Sequence, residues 1–273
     1  MKTVSRLATR FALGAGLCTA AVGTALADAL PVPDPSPAER IQAIEDNHQA
    51  GTYHQHRAIQ ARYDIEFGPM QIQGEMFFTP SMSKVRLGID GHAVLTYDSD
   101  DAWMAPAEAQ VPGPPPRFHV LTWPYFVAVP YKLNDPGTIL SDAGDLPVRP
   151  GQTLRGTKVT FESGVGDTPD DWYIAFTDPS SGLLTALAYI VTYGVDPEQA
   201  QKRRSIVFYD DYIDVDGVPI ATRWTFHRWN PKKGGVVGDP KGQATLSDLH
   251  LLKEVAATTF EKPEGAARID PPQ

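Results

Sequence analysis

The segment IQARYDIEFGPMQIQGEMFF, residues 59–78, decides how the chain folds. Ile59, Ala61, Tyr63, Ile65 and Phe67 alternate with Gln60, Arg62, Asp64 and Glu66. A period of two places one set on each side of a strand, so this strand buries one face and wets the other. Gly68-Pro69 turns the chain, and Ile72, Met76 and Phe78 repeat the pattern against Gln71, Gln73 and Glu75. Val85, Leu87 and Ile89 continue it, Asp90-Gly91 is a hairpin signal, and HAVLTYD (92–98) follows. Four successive strands, each with one polar face, predict an antiparallel meander.

Outward from this meander the same reasoning finds more strands. They lie at VTFES (159–163), WYIAFTD (172–178), LLTALAYIVTYG (183–194), SIVFYDDYIDV (205–215), VPIATRWTFHRWN (218–230) and ATLSDLHLL (244–252). The 183–194 segment is apolar on both faces. Two pieces break the period of two. Upstream, Ser36-Pro37 with Glu39 makes a capping box ahead of Ile41 and Ile44, which predicts a helix ending near Gly51. In the middle, RFHVLTWPYFVAVPYKL (117–133) is the most apolar stretch beyond the N-terminus and reads as a short buried helix broken at Pro124 or Pro130. Ten or eleven strands and two helical pieces predict a mainly β (α+β) fold: a curved antiparallel half-barrel with an N-terminal helix and a short lid helix on its concave face.

The first 27 residues read differently. Lys2, Arg6 and Arg10 precede the apolar run from Phe11 to Leu26, and Ala25-Leu26-Ala27 has the A-x-A form of a cleavage site. The expectation is a secretory signal peptide cut after Ala27 and a periplasmic destination. A Pro-rich leader (28–37) and a single domain (38–273) then follow. The only Cys of the 273 residues, Cys18, falls inside the signal, which excludes a disulfide framework or a Cys-based zinc site. Its neighbours Ala15-Gly16-Leu17 do not suit lipidation. The chain carries a formal net charge of −9, and loss of the signal removes three cations and no acid. An acidic chain without a basic stripe lacks the footprint for nucleic acid and is repelled by anionic membrane surfaces. Its 23 Gly and 25 Pro exclude a helical bundle.

The order of elements resembles the LolA/LolB-like fold of periplasmic lipoprotein-sorting proteins, in a divergent branch. The similarity rests on an amphipathic helix before a four-strand meander, and on Tyr97-Asp98 leading to Trp103-Met104. It rests also on FTDPSSGLLTALAY (176–189), on the Gly-Val-Pro hairpin in YIDVDGVPIATRWTF (212–226), and on TTFEKPEGAARID (258–270). The resemblance implies a half-open barrel with an apolar concave side. It supports the fold more strongly than an activity.

No G-x-S-x-G elbow, H-E-x-x-H, phosphate-binding loop or dinucleotide fingerprint is present, so no catalytic residue and no cofactor are assigned. His48, His54 and His56 are the metal candidates, because H-x-H on a strand sets two imidazoles on one face. A metal-assisted hydrolase would build on them, with His92 or His227 as a further ligand. No signature spacing closes the site, and a polar, water-facing strand start accounts for them better. The acidic groups at Asp98, Asp100 and Asp101, at Asp210, Asp211, Asp214 and Asp216, and at Asp167, Asp170 and Asp171 match turn and cap chemistry better than a calcium loop.

The aromatic supply is more informative. It fits either a filled core or an apolar cavity for an acyl chain with 117–133 as its lid, and the cavity is the working expectation. The candidate lining is Met76, Phe78, Trp103, Phe118, Trp123, Phe126, Trp172, Phe176 and Trp224, and Arg62 or Arg223 would meet a polar head group. The expected partner is a lipid or other hydrophobic ligand, bound by a monomer. A lipoprotein or another envelope protein is the alternative partner, with the chain acting as an interaction or sensor module.

Overall fold

The computed structural model describes residues 34–272. The expected signal peptide, and the leader as far as residue 33, lie outside the described residues. The elements run α1 (Pro37–Asn47), α2 (Ala50–Tyr53), β1 (Ala58–Phe67), β2 (Met70–Phe78), β3 (Val85–Ile89), β4 (Ala93–Tyr97) and β5 (Ala102–Ala105). Next come α3 (Pro116–Ala128), β6 (Thr138–Arg149), β7 (Gln152–Phe161), β8 (Tyr173–Thr177), β9 (Leu184–Tyr189) and α4 (Pro197–Gln201). The chain closes with β10 (Ser205–Val215), β11 (Val218–Asn230), β12 (Gly235–Leu252) and β13 (Ala267–Ile269).

All thirteen strands belong to one antiparallel sheet, ordered β13-β5-β4-β3-β2-β1-β12-β11-β10-β9-β8-β7-β6. Two meanders, β1–β5 and β6–β12, meet where β1 pairs with β12. The first and last strands are not paired with each other, so the sheet stays open as a curved half-barrel. This topology explains the lid. β5 and β6 are consecutive strands on opposite sides of the sheet, so the link between them has to cross a face. That link is α3. Among the described residues, no helix is long and apolar enough to cross a membrane.

Local sequence accounts for most boundaries. Ser36 Oγ accepts from Glu39 N, and Glu39 Oε2 accepts from Ser36 N at 2.7 Å, so the capping box closes as expected. The β10–β11 hairpin turns on Asp216-Gly217, both at positive φ, as a two-residue turn matched to strand twist requires. In β1, Ile59, Ala61, Tyr63 and Ile65 are buried while Asp64 and Glu66 are exposed.

Four features differ from expectation. The strand count is thirteen rather than ten or eleven, because β5, β6 and β13 are added to the set. β6 was hidden by Gly144, Pro147 and two acids, Asp142 and Asp145. It is an edge strand with two bulges, where a Pro does not break the ladder. β12 begins nine residues earlier than 244, running through Gly238, Pro240 and Gly242. Finally, α3 continues through Pro124 and ends only near Pro130, which falls in the 3-10 turn Val129–Tyr131. Pro124 removes one helical rung. The packing of Val120, Trp123, Phe126, Val127 and Ala128, all buried, holds the helix regardless.

The sheet carries apolar side chains on both faces. The concave face packs against α1, α2 and α3 in a core containing Ile41, Tyr53, Met76, Phe78, Leu87 and Trp224. On β9, Leu187 and Tyr189 face that core, while Ala186 and Ala188 join a second one with Trp172, Ile174, Phe176, Phe208 and Trp229. The β6–β7 hairpin covers this second core. Trp229 Nε1 donates to Pro147 O at 2.9 Å, and the Arg149 guanidinium lies 3.8 Å over the Phe208 ring.

Candidate functional site

A cavity of about 820 Å³ lies alongside α3. The helix contributes Phe118, Leu121, Thr122, Trp123, Tyr125 and Phe126, and the facing wall comes from Phe161, Tyr173, Tyr189, Val191 and Tyr193. Helical spacing brings 118, 121, 122 and 125 onto one side of α3. The wall residues come from β7, β8, β9 and the chain just after β9. Aromatic pairs bridge the two sides. Tyr125 stacks on Tyr173 with centroids 5.6 Å apart, Phe118 meets Tyr193 edge to face at 5.6 Å, and Phe126 meets Tyr189 at 5.6 Å. Burial pushes the phenols of Tyr125, Tyr173 and Tyr189 upward, so all three stay neutral at physiological pH.

Polar groups hold the helix in place. Arg117 forks onto Asp167, with Nε–Oδ2 at 2.6 Å and Nη2–Oδ1 at 2.9 Å. At the other end of α3, Lys132 pairs with Asp135 and donates to Ser81 O at 2.9 Å. Trp123 Nε1 donates to His119 Nδ1 at 2.8 Å, and His119 Nε2 lies 3.0 Å from Pro112 O. Burial lowers the His119 imidazole, so the neutral tautomer with its proton on Nε2 satisfies both bonds. On the wall, Asp171 accepts from Thr192 N at 2.6 Å, Thr192 Oγ1 at 2.8 Å and Thr168 Oγ1 at 2.9 Å. Its burial raises the carboxyl, and the Thr192 bonds oppose that rise.

The structure brings three of the expected lining residues, Phe118, Trp123 and Phe126, to the cavity. The others sit elsewhere. Met76 and Phe78 are fully buried in the concave core, and Trp224 borders only a small neighbouring void of about 10 Å³. Trp172 and Phe176 belong to the second core under the β6–β7 hairpin. Trp103 lies on β5, opposite Arg268 of β13. Arg62 pairs with Asp90 at 2.9 Å, and Arg223 pairs with Asp211 at 2.7 Å, both outside the cavity lining.

The three histidines do not converge. His48 is buried, and its Nε2 accepts from Leu184 N at 3.0 Å. His54 is exposed, and His56 Nδ1 lies 3.0 Å from Thr52 O. HQH sits in the turn after α2, not on a strand, so the face-sharing argument does not apply. Among the described residues, no group of three or more His, Cys, Asp or Glu side chains is placed to hold a metal ion.

Sequence reasoning missed Leu121, Phe161, Tyr173, Tyr189 and Tyr193. A strand apolar on both faces, 183–194, was the available signal for Tyr189. Nothing in the sequence says which of two apolar faces meets empty space.

Solved structures share this architecture. A LolA-superfamily protein from Nitrosomonas europaea superposes with a TM-score of 0.53 at 8% identity, covering 84% of this chain and 98% of that one. The fold is LolA-like. A putative outer membrane lipoprotein-sorting protein domain from Vibrio parahaemolyticus gives 0.51 at 9% identity, over 81% and 95%. A DUF1329 family protein from Desulfovibrio piger gives 0.50 at 12% identity, over 83% and 98%. No protein-family profile and no curated protein sequence matches the chain. Within the LolA-like fold, the cavity beside α3 occupies the concave side.

Proposed function

We propose that this protein binds the acyl chain of a lipid or lipoprotein, or a hydrophobe of similar shape, in the cavity beside α3, and carries it through the periplasm. One observation carries the reading: about 820 Å³ of space whose lining is largely, though not wholly, aromatic and aliphatic. That volume falls within the ~300–1,000 Å³ of small-molecule sites, and such sites are concave and mostly apolar. Burial of each methylene is worth about 0.8 kcal/mol, so a long chain is held without specific polar contacts. Phe118, Trp123 and Phe126 contact the ligand, and movement of α3 releases it. The LolA-like fold and the export signal read in residues 1–27 support a carrier role. One of the similar structures is named for lipoprotein sorting.

The test is native mass spectrometry of the purified protein with lipid extraction, beside titration with a fluorescent fatty acid. Co-purified lipid or saturable probe binding is expected. A protein that is free of lipid and also ignores the probe refutes the reading. N-terminal sequencing of exported protein should begin at Asp28.

A further inference from the structure

Two cations on the cavity wall, Lys241 and Arg203, have no counter-ion. Lys241 of β12 is half-buried, its Nζ donates to Ser205 Oγ at 2.8 Å, and its ammonium lies 5.1 Å from the Phe67 ring centroid. Lys241, Ser205 and Phe67 all line the cavity, as does Arg203. Arg228 stands opposite Ser205 in the β10–β11 register. Among the described residues, no carboxylate lies within ion-pair distance of Lys241, Arg203 or Arg228. In a chain with 33 acids against 24 bases, that is an unusual omission. Of the acids in the lining, Asp135 pairs with Lys132, Asp167 pairs with Arg117, and Asp171 is held by Thr168 and Thr192. A desolvated ammonium beside another cation is costly unless an anion arrives. Consistent with this, burial first and the Arg228 charge second lower the Lys241 ammonium.

We propose that the ligand of this cavity is an anionic amphiphile whose carboxylate or phosphate head group is bound by Lys241 Nζ and Ser205 Oγ, with Arg203 and Arg228 flanking. This rests on the reading of the cavity as an acyl-chain site and specifies its ligand class. Charge-assisted bonds to an ammonium in a partly dry site are about twice as strong as neutral ones, so they select anions over neutral lipids of equal length. The apolar wall takes the chain, and the Lys241 group sets its direction.

The purified full chain is titrated calorimetrically with chain-matched dodecanoate, dodecyl phosphate and dodecanol, each as monomers, and with inorganic phosphate. The two amphiphilic anions should bind at least about tenfold more tightly than the alcohol. Lys241→Gln should abolish that preference, lowering the affinity for the two anions at least about tenfold more than that for the alcohol, and Lys241→Arg should retain it. Arg203→Gln, at an exposed position, should reduce it partly without touching the fold. Equal binding of the anions and the alcohol by the wild type overturns the proposal, as does an equal loss for every ligand in Lys241→Gln. In either case binding of dodecanol still supports the acyl-chain site, so the two failures are distinct. Binding of no amphiphile removes both. Inorganic phosphate that binds as tightly as dodecyl phosphate assigns the group to a free anion and overturns the head-group proposal.

Discussion

Arg117 and Asp167, fifty residues apart in sequence, form a two-bond ion pair that joins the first turn of α3 to the loop after β7. Their side chains are only 5% and 17% exposed. Arg117 also reaches Asp100 O at 3.4 Å and Ile269 O at 3.5 Å, so one guanidinium ties the helix to both sides of the half-barrel. Removing one partner of a buried pair leaves an uncompensated charge. Asp167→Asn should therefore cost about 3 kcal/mol in urea unfolding. Hydrogen exchange should show the amides of α3 losing protection before those of β1 and β2. Unchanged exchange in α3 would mean that the pair does not latch the helix.

The empty space beside α3 predicts an asymmetric response to added volume. Leu121 faces the cavity and is only partly buried. Leu121→Trp should fill the space and weaken a fluorescent fatty acid more than about tenfold. Thermal stability should hold, because no packed neighbour has to move. A probe affinity equal to wild type would place the ligand elsewhere.

Acid should loosen the fold through His48. Burial lowers its imidazole from about 6.5 to about 4. A base depressed in the folded state binds its proton more readily when unfolded. Its contribution is therefore complete above pH 6.5 and is lost as the pH falls toward 4. The loss amounts to about 3 kcal/mol. His119 shifts in the same direction, whereas Asp171 and Glu45, raised by burial, act oppositely. His48→Gln keeps an acceptor for Leu184 N. Its urea midpoint should fall less steeply than that of wild type across this window. Parallel slopes would assign the acid sensitivity to other groups.

Gly74 is required by a close approach of backbone. A Cβ there would sit 2.0 Å from Gly88 O, which also accepts the Tyr63 hydroxyl at 2.7 Å. Gly74→Ala should break the β2–β3 pairing locally and cost about 2 kcal/mol or more, read as a lower melting temperature. A melting temperature unchanged from wild type would show that the sheet relaxes at no cost.

Much of the fold was readable because alternation is a local property. Residues 59–78 named their own buried face, and Asp90-Gly91 and Asp216-Gly217 named their turns. β6 was not readable, because an edge strand tolerates Pro147 and Gly144 and buries little. The site was harder still. Phe118, Trp123 and Phe126 lay within an unmistakably apolar segment. Met76, Phe78 and Trp224 looked equivalent to them by type, yet they fill the core.

The sequence by itself determined which residues turn inward, where the chain reverses, and that one apolar helix interrupts the strands. Side-chain direction in a strand or helix follows from backbone geometry alone. Only the tertiary structure decided what each inward face meets. That depends on β1 closing on β12 across most of the chain, and on α3 crossing from β5 to β6. Those long-range pairings left Tyr173 and Tyr189 beside open space, sent Trp172 and Phe176 to the opposite face, and set Lys241 beside Ser205 with no acid to neutralise it.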